Sequence, residues 1–198
     1  MKLSLTPWIL LSLLLPRPAL AGDADEMLQQ VYAASSAVQR LEAAFVQTKE
    51  LKAFAQPVTS RGTLIYEKGG AVTWRYESPD RMEFVMEGTR ARMHYPDLGE
   101  EQEFDLAADE RVRPLVESMT VWLGGSPAQV LESYEVSVDP DRKRTLILSP
   151  RDELIRGFIR RMVLTYGDDS LVTEVRIEEP DGDAATYQFT NSQVTPVP

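Results

Sequence analysis

Few residues of this chain have the types and spacing that chemistry requires. His94 is the only histidine. Strand alternation places it with Arg90 and Arg92 on a polar face, where a solvated surface histidine is the simple account. There are no cysteines, so thiolate metal sites, cysteine nucleophiles and disulfides are excluded. No His-rich or Cys-His spacing offers a zinc site. There is no Gly-x-Ser-x-Gly elbow and no phosphate loop. Gly124-Gly125-Ser126-Pro127 has a phosphate loop's composition but lacks its lysine and a preceding strand. Acidic pairs such as Glu100-Glu101 and Glu178-Glu179 are common among 31 acidic residues, and none is singled out as a glycosidase pair. Arg142-Lys143-Arg144 reads as a solvated hairpin end. No catalytic residue, metal ligand or cofactor site is assigned, and the chain is not expected to be an enzyme.

The constellation that stands out is apolar. Val72, Trp74 and Tyr76 alternate with Thr73, Arg75 and Glu77. Met82, Phe84 and Met86 oppose Arg81, Glu83 and Glu87, and Ala91, Met93 and Tyr95 oppose Arg90, Arg92 and His94. Period-two patterning of this kind marks strands wet on one side and apolar on the other. The apolar side carries large, soft side chains, and methionine adapts to varied apolar surfaces. Such a face needs a cover, which is a helix, a second sheet or a lipid. A Trp, Phe and Met face suits an ordinary core as well as a pocket.

The elements that must position this face are short. Met1-Lys2, the apolar run Trp8–Leu15 and Ala19-Leu20-Ala21 read as a secretory signal peptide over residues 1–21. Cleavage before Gly22 leaves a single domain of residues 22–198, with no thiol for lipid attachment. Losing Lys2 and Arg17 leaves 19 basic against 31 acidic residues, a net charge of −12. That charge opposes nucleic acid and anionic headgroups. Residues 23–49 read as one amphipathic helix through Leu28, Val31, Ser35, Val38, Leu41 and Phe45. Strands follow at 58–67, 72–77, 81–87, 90–95 and 102–106, separated by Gly, Pro and Asp turn signals. The pattern turns helical over 109–123. Ser126 then caps a short helix that has Pro127 at its first position and runs to Leu131. Strands resume at 134–138, 145–149, 158–166, 171–178 and 184–190, and the last eight residues read as frayed. No β-α-β rhythm appears, so the sheet is antiparallel. A sheet of this many twisted strands curls. The fold class is mostly β with α: an incomplete, curled antiparallel barrel covered by helices.

These motifs, in their order, resemble a known family. Leu41-Glu-Ala-Ala-Phe45-Val-Gln47-Thr48 is followed by Gly62-Thr-Leu64, Trp74-x-Tyr76-x-x-Pro79, Gly88, Tyr95-Pro96, Ser126-Pro-Ala and Leu148-Ser-Pro150. Together they resemble the periplasmic lipoprotein carriers, LolA and its relatives, over about residues 25–190. The resemblance implies an incomplete barrel with lid helices and no enzymatic activity. It implies a periplasmic monomer that takes acyl chains of a lipoprotein or other lipid from an inner-membrane exporter (ABC or other) to an outer-membrane acceptor. The lipid cavity it suggests is lined by Leu64, Trp74, Tyr76, Met82, Phe84, Met86 and Met93. The family's usual Arg-Pro pair after the glycine is Lys68-Gly69 here, so Lys68 is the candidate lid latch, without arginine's planar fork. That departure favours a LolA-like paralogue over the housekeeping carrier. The other readings are a periplasmic protein-binding module, chaperone or sensor domain with a packed, ligand-free interior, and a hydrolase.

Overall fold

The computed structural model describes residues 21–108, 119, 121–123 and 126–197. A helix, α1 (Ala21–Ser36), precedes six strands: β1 (Val38–Glu50), β2 (Val58–Glu67), β3 (Ala71–Ser78), β4 (Met82–Glu87), β5 (Arg90–Tyr95) and β6 (Glu100–Asp105). A long connection containing α2 (Pro127–Ser133) leads to β7 (Tyr134–Val138) and β8 (Thr145–Pro150). The short α3 (Glu153–Arg156) comes next, followed by β9 (Arg161–Tyr166), β10 (Val172–Glu178) and β11 (Ala184–Pro196).

All eleven strands form one antiparallel sheet in the order β6-β5-β4-β3-β2-β1-β11-β10-β9-β8-β7. The first and last strands therefore meet in the middle, along a seam running from Val38↔Pro196 to Glu50↔Ala184. Each half is a simple meander. The sheet ends on β6 and β7, which do not pair with each other, so the barrel is incomplete. Edge strand β6 carries Glu100, Glu101, Glu103 and Asp105, charges that discourage further strand pairing.

The sheet curls strongly. β3 and β11 lie three strand spacings apart, about 14 Å along a flat sheet. Yet the rings of Trp74 on β3 and Tyr187 on β11 have centroids only 5.2 Å apart. One apolar cluster accordingly joins Leu64, Trp74 and Phe84 of one half to Leu146, Leu148, Met162, Leu164 and Val175 of the other.

The strands at 58–67, 90–95 and 134–138 have the bounds read from the sequence. Three regions differ. The single helix over 23–49 is in fact α1 followed by β1. Ser35 and Ser36 turn their hydroxyls onto the Val31 and Ala33 carbonyls at the helix end, and such bonds compete with helix propagation. Leu41 and Phe45 are four apart, a spacing that satisfies a helix turn and also keeps both residues on one face of a strand. Burial of Ala43, Phe45 and Gln47 on alternate positions shows which period holds. The strand expected from 158 starts only at Arg161, because Asp152 caps α3 through the Leu154 amide and Ile155 and Ile159 are buried.

The tail is not frayed: β11 runs to Pro196. A register shift between Glu42↔Gln193 and Ala44↔Thr190 absorbs an extra residue, with Asn191 at φ 53°. Asparagine tolerates this left-handed backbone better than most residues. The expected helix over 109–123 lies largely outside the described residues, although Met119 and residues 121–123 are helical. Ser126 and Gln129 form a reciprocal capping box at α2, with Pro127 at its start.

Candidate functional site: a covered concave face

Strand register sets the concave face as rows of side chains. One row reads Ala43–Leu64–Trp74–Phe84–Met93 across β1 to β5. A second reads Phe189–Phe45–Gly62–Tyr76–Met82. A third crosses the other half as Leu146–Leu164–Val175–Tyr187–Gln47. All seven residues expected to line a cavity share this face. Leu64, Trp74, Phe84 and Met86 are buried, while Tyr76, Met82 and Met93 are half-buried against them.

Gly62 makes the second row possible. A Cβ there would sit 2.8 Å from Phe45 Cζ and closer still to the Arg75 carbonyl oxygen. Without a side chain, the Phe45 ring lies over the strand and meets Trp74 and Tyr76 edge-on, at centroid distances of 5.1 and 5.0 Å. Edge-to-face contacts of this kind add to area burial.

Polar atoms are few on the face. Gln47 is buried, and its Nε2 donates to the Tyr187 hydroxyl at 2.6 Å. The Tyr76 phenol lies close to that of Tyr187. Burial is the main cause that pushes both phenols up, so both stay neutral. Among the described residues no group of three or more His, Asp or Glu could hold a metal ion.

Among the described residues the cover comes from two segments. α1 buries Ala24, Leu28 and Val31 and leans on β7 and α2. The helical turn at 121–123 places Trp122 on Trp74 (5.8 Å between centroids) and on Phe189 (5.5 Å). The Tyr32 hydroxyl donates to the Val121 carbonyl and ties the two segments together. Between Trp122, Leu123 and the floor residues Val38, Leu41, Tyr66 and Val172 a gap of about 20 Å³ remains.

Lys68 lies in the exposed β2–β3 turn. Its Nζ donates to the Ser36 carbonyl at 2.7 Å and its amide to the Gln39 carbonyl at 2.9 Å. It thus holds the last turn of α1 rather than the segment bearing Trp122. His94 sits on the convex face with Nδ1 3.8 Å from Glu101. A groove of about 290 Å³ beside it is lined by Arg75, Arg81, Glu83 and Pro96, where Arg75 and Glu83 pair at 3.1 Å.

Sequence reasoning missed Phe45, Trp122 and Gln47 as parts of this face, along with the aliphatic floor of β8 to β10. The sequence spacing reads Phe45 and Gln47 as part of a helix. The other half carries weaker alternation because both faces of β8 and β9 are partly buried. Tyr187 and Phe189 did alternate visibly, but nothing local connected them to Trp74.

The fold and this face define a class: an open, curled antiparallel sheet with an apolar concavity under a helical cover. The sequence profile of the outer membrane lipoprotein carrier protein LolA matches residues 36–198, and the chain belongs to the LolA family. No curated protein matches it. Among solved structures it is similar to a putative outer membrane lipoprotein-sorting protein domain from Vibrio parahaemolyticus. That match has 10% identity and a TM-score of 0.49, covering 88% of this chain and 93% of the other. The lipoprotein LppX from Mycobacterium tuberculosis matches at 8% identity and a TM-score of 0.44, over 87% and 96%. MucB in complex with MucA(peri) matches at 19% identity and a TM-score of 0.47, over 89% of this chain and 57% of the other.

Proposed function

We propose that the mature chain is a periplasmic carrier which shields the acyl chains of a lipoprotein or another lipid on this concave face. It would move them from an inner-membrane exporter to an outer-membrane acceptor. The observation that carries this reading is the six-ring cluster of Phe45, Trp74, Tyr76, Trp122, Tyr187 and Phe189. Five of these rings stand on the sheet, and the sixth is brought by a separate covering segment. An interior built this way opens when the cover moves, without breaking a strand pair.

The physical demand fits. Bringing one palmitoyl chain into water costs about 12 kcal/mol at ~0.8 kcal/mol per methylene. Transit between two membranes therefore needs a shield. Leu64, Trp74, Tyr76, Met82, Phe84, Met86 and Met93 supply one side of it, and Met-rich packing rearranges readily. With no energy source of its own, the carrier is loaded by work done at the donor membrane and releases cargo along a gradient of affinity. Residues 1–21 act as the leader. Lys68 acts as a minor latch on α1, and the Tyr32–Val121 bond joins the two parts of the cover.

The test is native mass spectrometry of the chain isolated from the periplasm of its own host. The expected result is protein carrying a mass of one acylated lipid, displaced by added detergent. Protein that emerges bare and takes up no fluorescent acyl probe from vesicles would leave the packed protein-binding module as the better reading.

A further inference from the structure

We infer that the covered face recognises the cargo's ester carbonyl as well as its hydrocarbon, through the indole N–H groups of Trp74 and Trp122. The inference rests on the carrier reading above and deepens it. Trp74 is 2% exposed and Trp122 is 7% exposed. Both Nε1 atoms are buried and have no hydrogen-bond partner among the described residues. Buried indole N–H groups usually find an acceptor, and an orphaned one in a native structure asks for a reason.

The surroundings explain why none is met internally. Trp74 is ringed by Phe45, Tyr187, Trp122 and Phe189, at centroid distances from 5.1 to 6.1 Å. Of the nearby polar groups, Gln47 and Tyr187 are bonded to each other, with the Tyr76 phenol beside them. The 20 Å³ gap at Trp122 is lined by Val38, Leu41, Leu123, Leu171 and Val172 together with Ser35 and Tyr66, so a single water there would compete with the cargo for the Trp122 N–H. A purely hydrocarbon cargo would need an aromatic ring here but no N–H donor, which phenylalanine would provide without an orphaned group.

An acceptor that pairs both N–H groups would arrive with the ligand. It is neutral, because the apolar cluster contains no cation among the described residues and a free carboxylate buried there would stay uncompensated. A carbonyl oxygen of an acyl ester meets these conditions: it accepts without donating and lies at the head of the chain the face would shield. The two donors stand on opposite parts of the site, Trp74 on the sheet and Trp122 on the cover. A carbonyl between them would therefore replace the ring-to-ring contact when the cover shifts.

The experiment compares two lipids of equal chain length, dipalmitoyl phosphatidylcholine and its dihexadecyl ether analogue, which lacks both carbonyls. Each is titrated into delipidated mature protein and the dissociation constant is read by native mass spectrometry. The wild type should prefer the ester by about threefold to tenfold, the range of one or two recovered hydrogen bonds. In Trp74→Phe and in Trp122→Phe the ester-to-ether ratio should fall toward one, whatever the absolute affinities become. Circular dichroism reports whether each variant folds, and Trp122→Phe carries the test if Trp74→Phe does not. Equal affinity of the wild type for both lipids, or an ester preference retained in the folded variants, overturns the inference while leaving the carrier reading intact. Failure to bind either lipid, in protein that also emerges bare from the periplasm, overturns both.

Discussion

Gly62 shows how much of the concave face depends on one absent side chain. Phe45 lies over it, Arg75 presents a carbonyl to it, and Trp74 and Tyr76 take their places around Phe45. Gly62→Ala is expected to destabilise the protein by about 2–3 kcal/mol, as overpacking of a filled core does. The loss arises because the atom nearest the new methyl group is backbone and cannot rotate aside. A urea titration would show a lowered midpoint, and an unchanged midpoint would mean that neither the Arg75 carbonyl nor the Phe45 ring crowds this position. Lys68 behaves differently. Its bond to Ser36 is made at the surface, so it holds α1 weakly where a guanidinium fork would have offered several donors.

At the scale of elements, the convex side of β9 and β10 is held by charge. Glu178 is almost buried, and its carboxylate meets Arg160 at 2.5 Å, Arg161 at 2.6 Å and Arg176 at 3.3 Å. Arg176 reaches on to Glu50 of β1 at 2.7 Å, across β11. The Arg161 hydrogen bond, more than any other cause, holds the Glu178 carboxyl below its ordinary value. A depressed carboxylate contributes stability above its unfolded pKa and loses it as pH falls through the folded one. Glu178→Gln should therefore cost about 1–2 kcal/mol near neutral pH, given the value of a charge-assisted bond partly screened by solvent. The difference from wild type should shrink in acid, below the usual carboxylate range. Thermal melts of both proteins across pH would show the two curves converging, and a constant gap would remove the charge network as the cause. The elements were legible in the sequence where turn chemistry and alternation agreed, as at β2, β5 and β7, and at the Ser126-Pro127 cap. They were illegible where one spacing served two periods, as from Leu41 to Phe45, and where a bulge interrupted the alternation, as at Asn191. The site followed the same rule. Residues whose strands alternate locally were found, whereas Trp122 and Phe45 are joined to them only by the curl of the whole sheet.

For the whole molecule, the seam between β1 and β11 decides whether two meanders act as one shell. The residues beyond Thr190 read as frayed in sequence, and residues 191–197 are exposed. Yet Gln193, Val194, Thr195 and Pro196 pair with Glu42, Leu41, Arg40 and Val38, and the Val197 amide donates to the Ala37 carbonyl. This stretch of β1 emerges directly from α1, one part of the cover. Removing residues 192–198 would leave one edge of β1 unpaired where the cover hinges, while the Glu50–Ala184 end of the seam would remain. The expected outcome is a folded protein with a lower melting temperature and faster amide exchange in residues 38–42 and in α1, because local opening follows the loss of backbone pairing. If lipid occupies the concave face, saturating ligand should restore much of the melting temperature. Binding at a hundred times the dissociation constant contributes about 2.7 kcal/mol. Hydrogen exchange with and without lipid separates the two effects. Exchange that stays slow in α1 after truncation would place the hinge elsewhere, in the segment bearing Trp122.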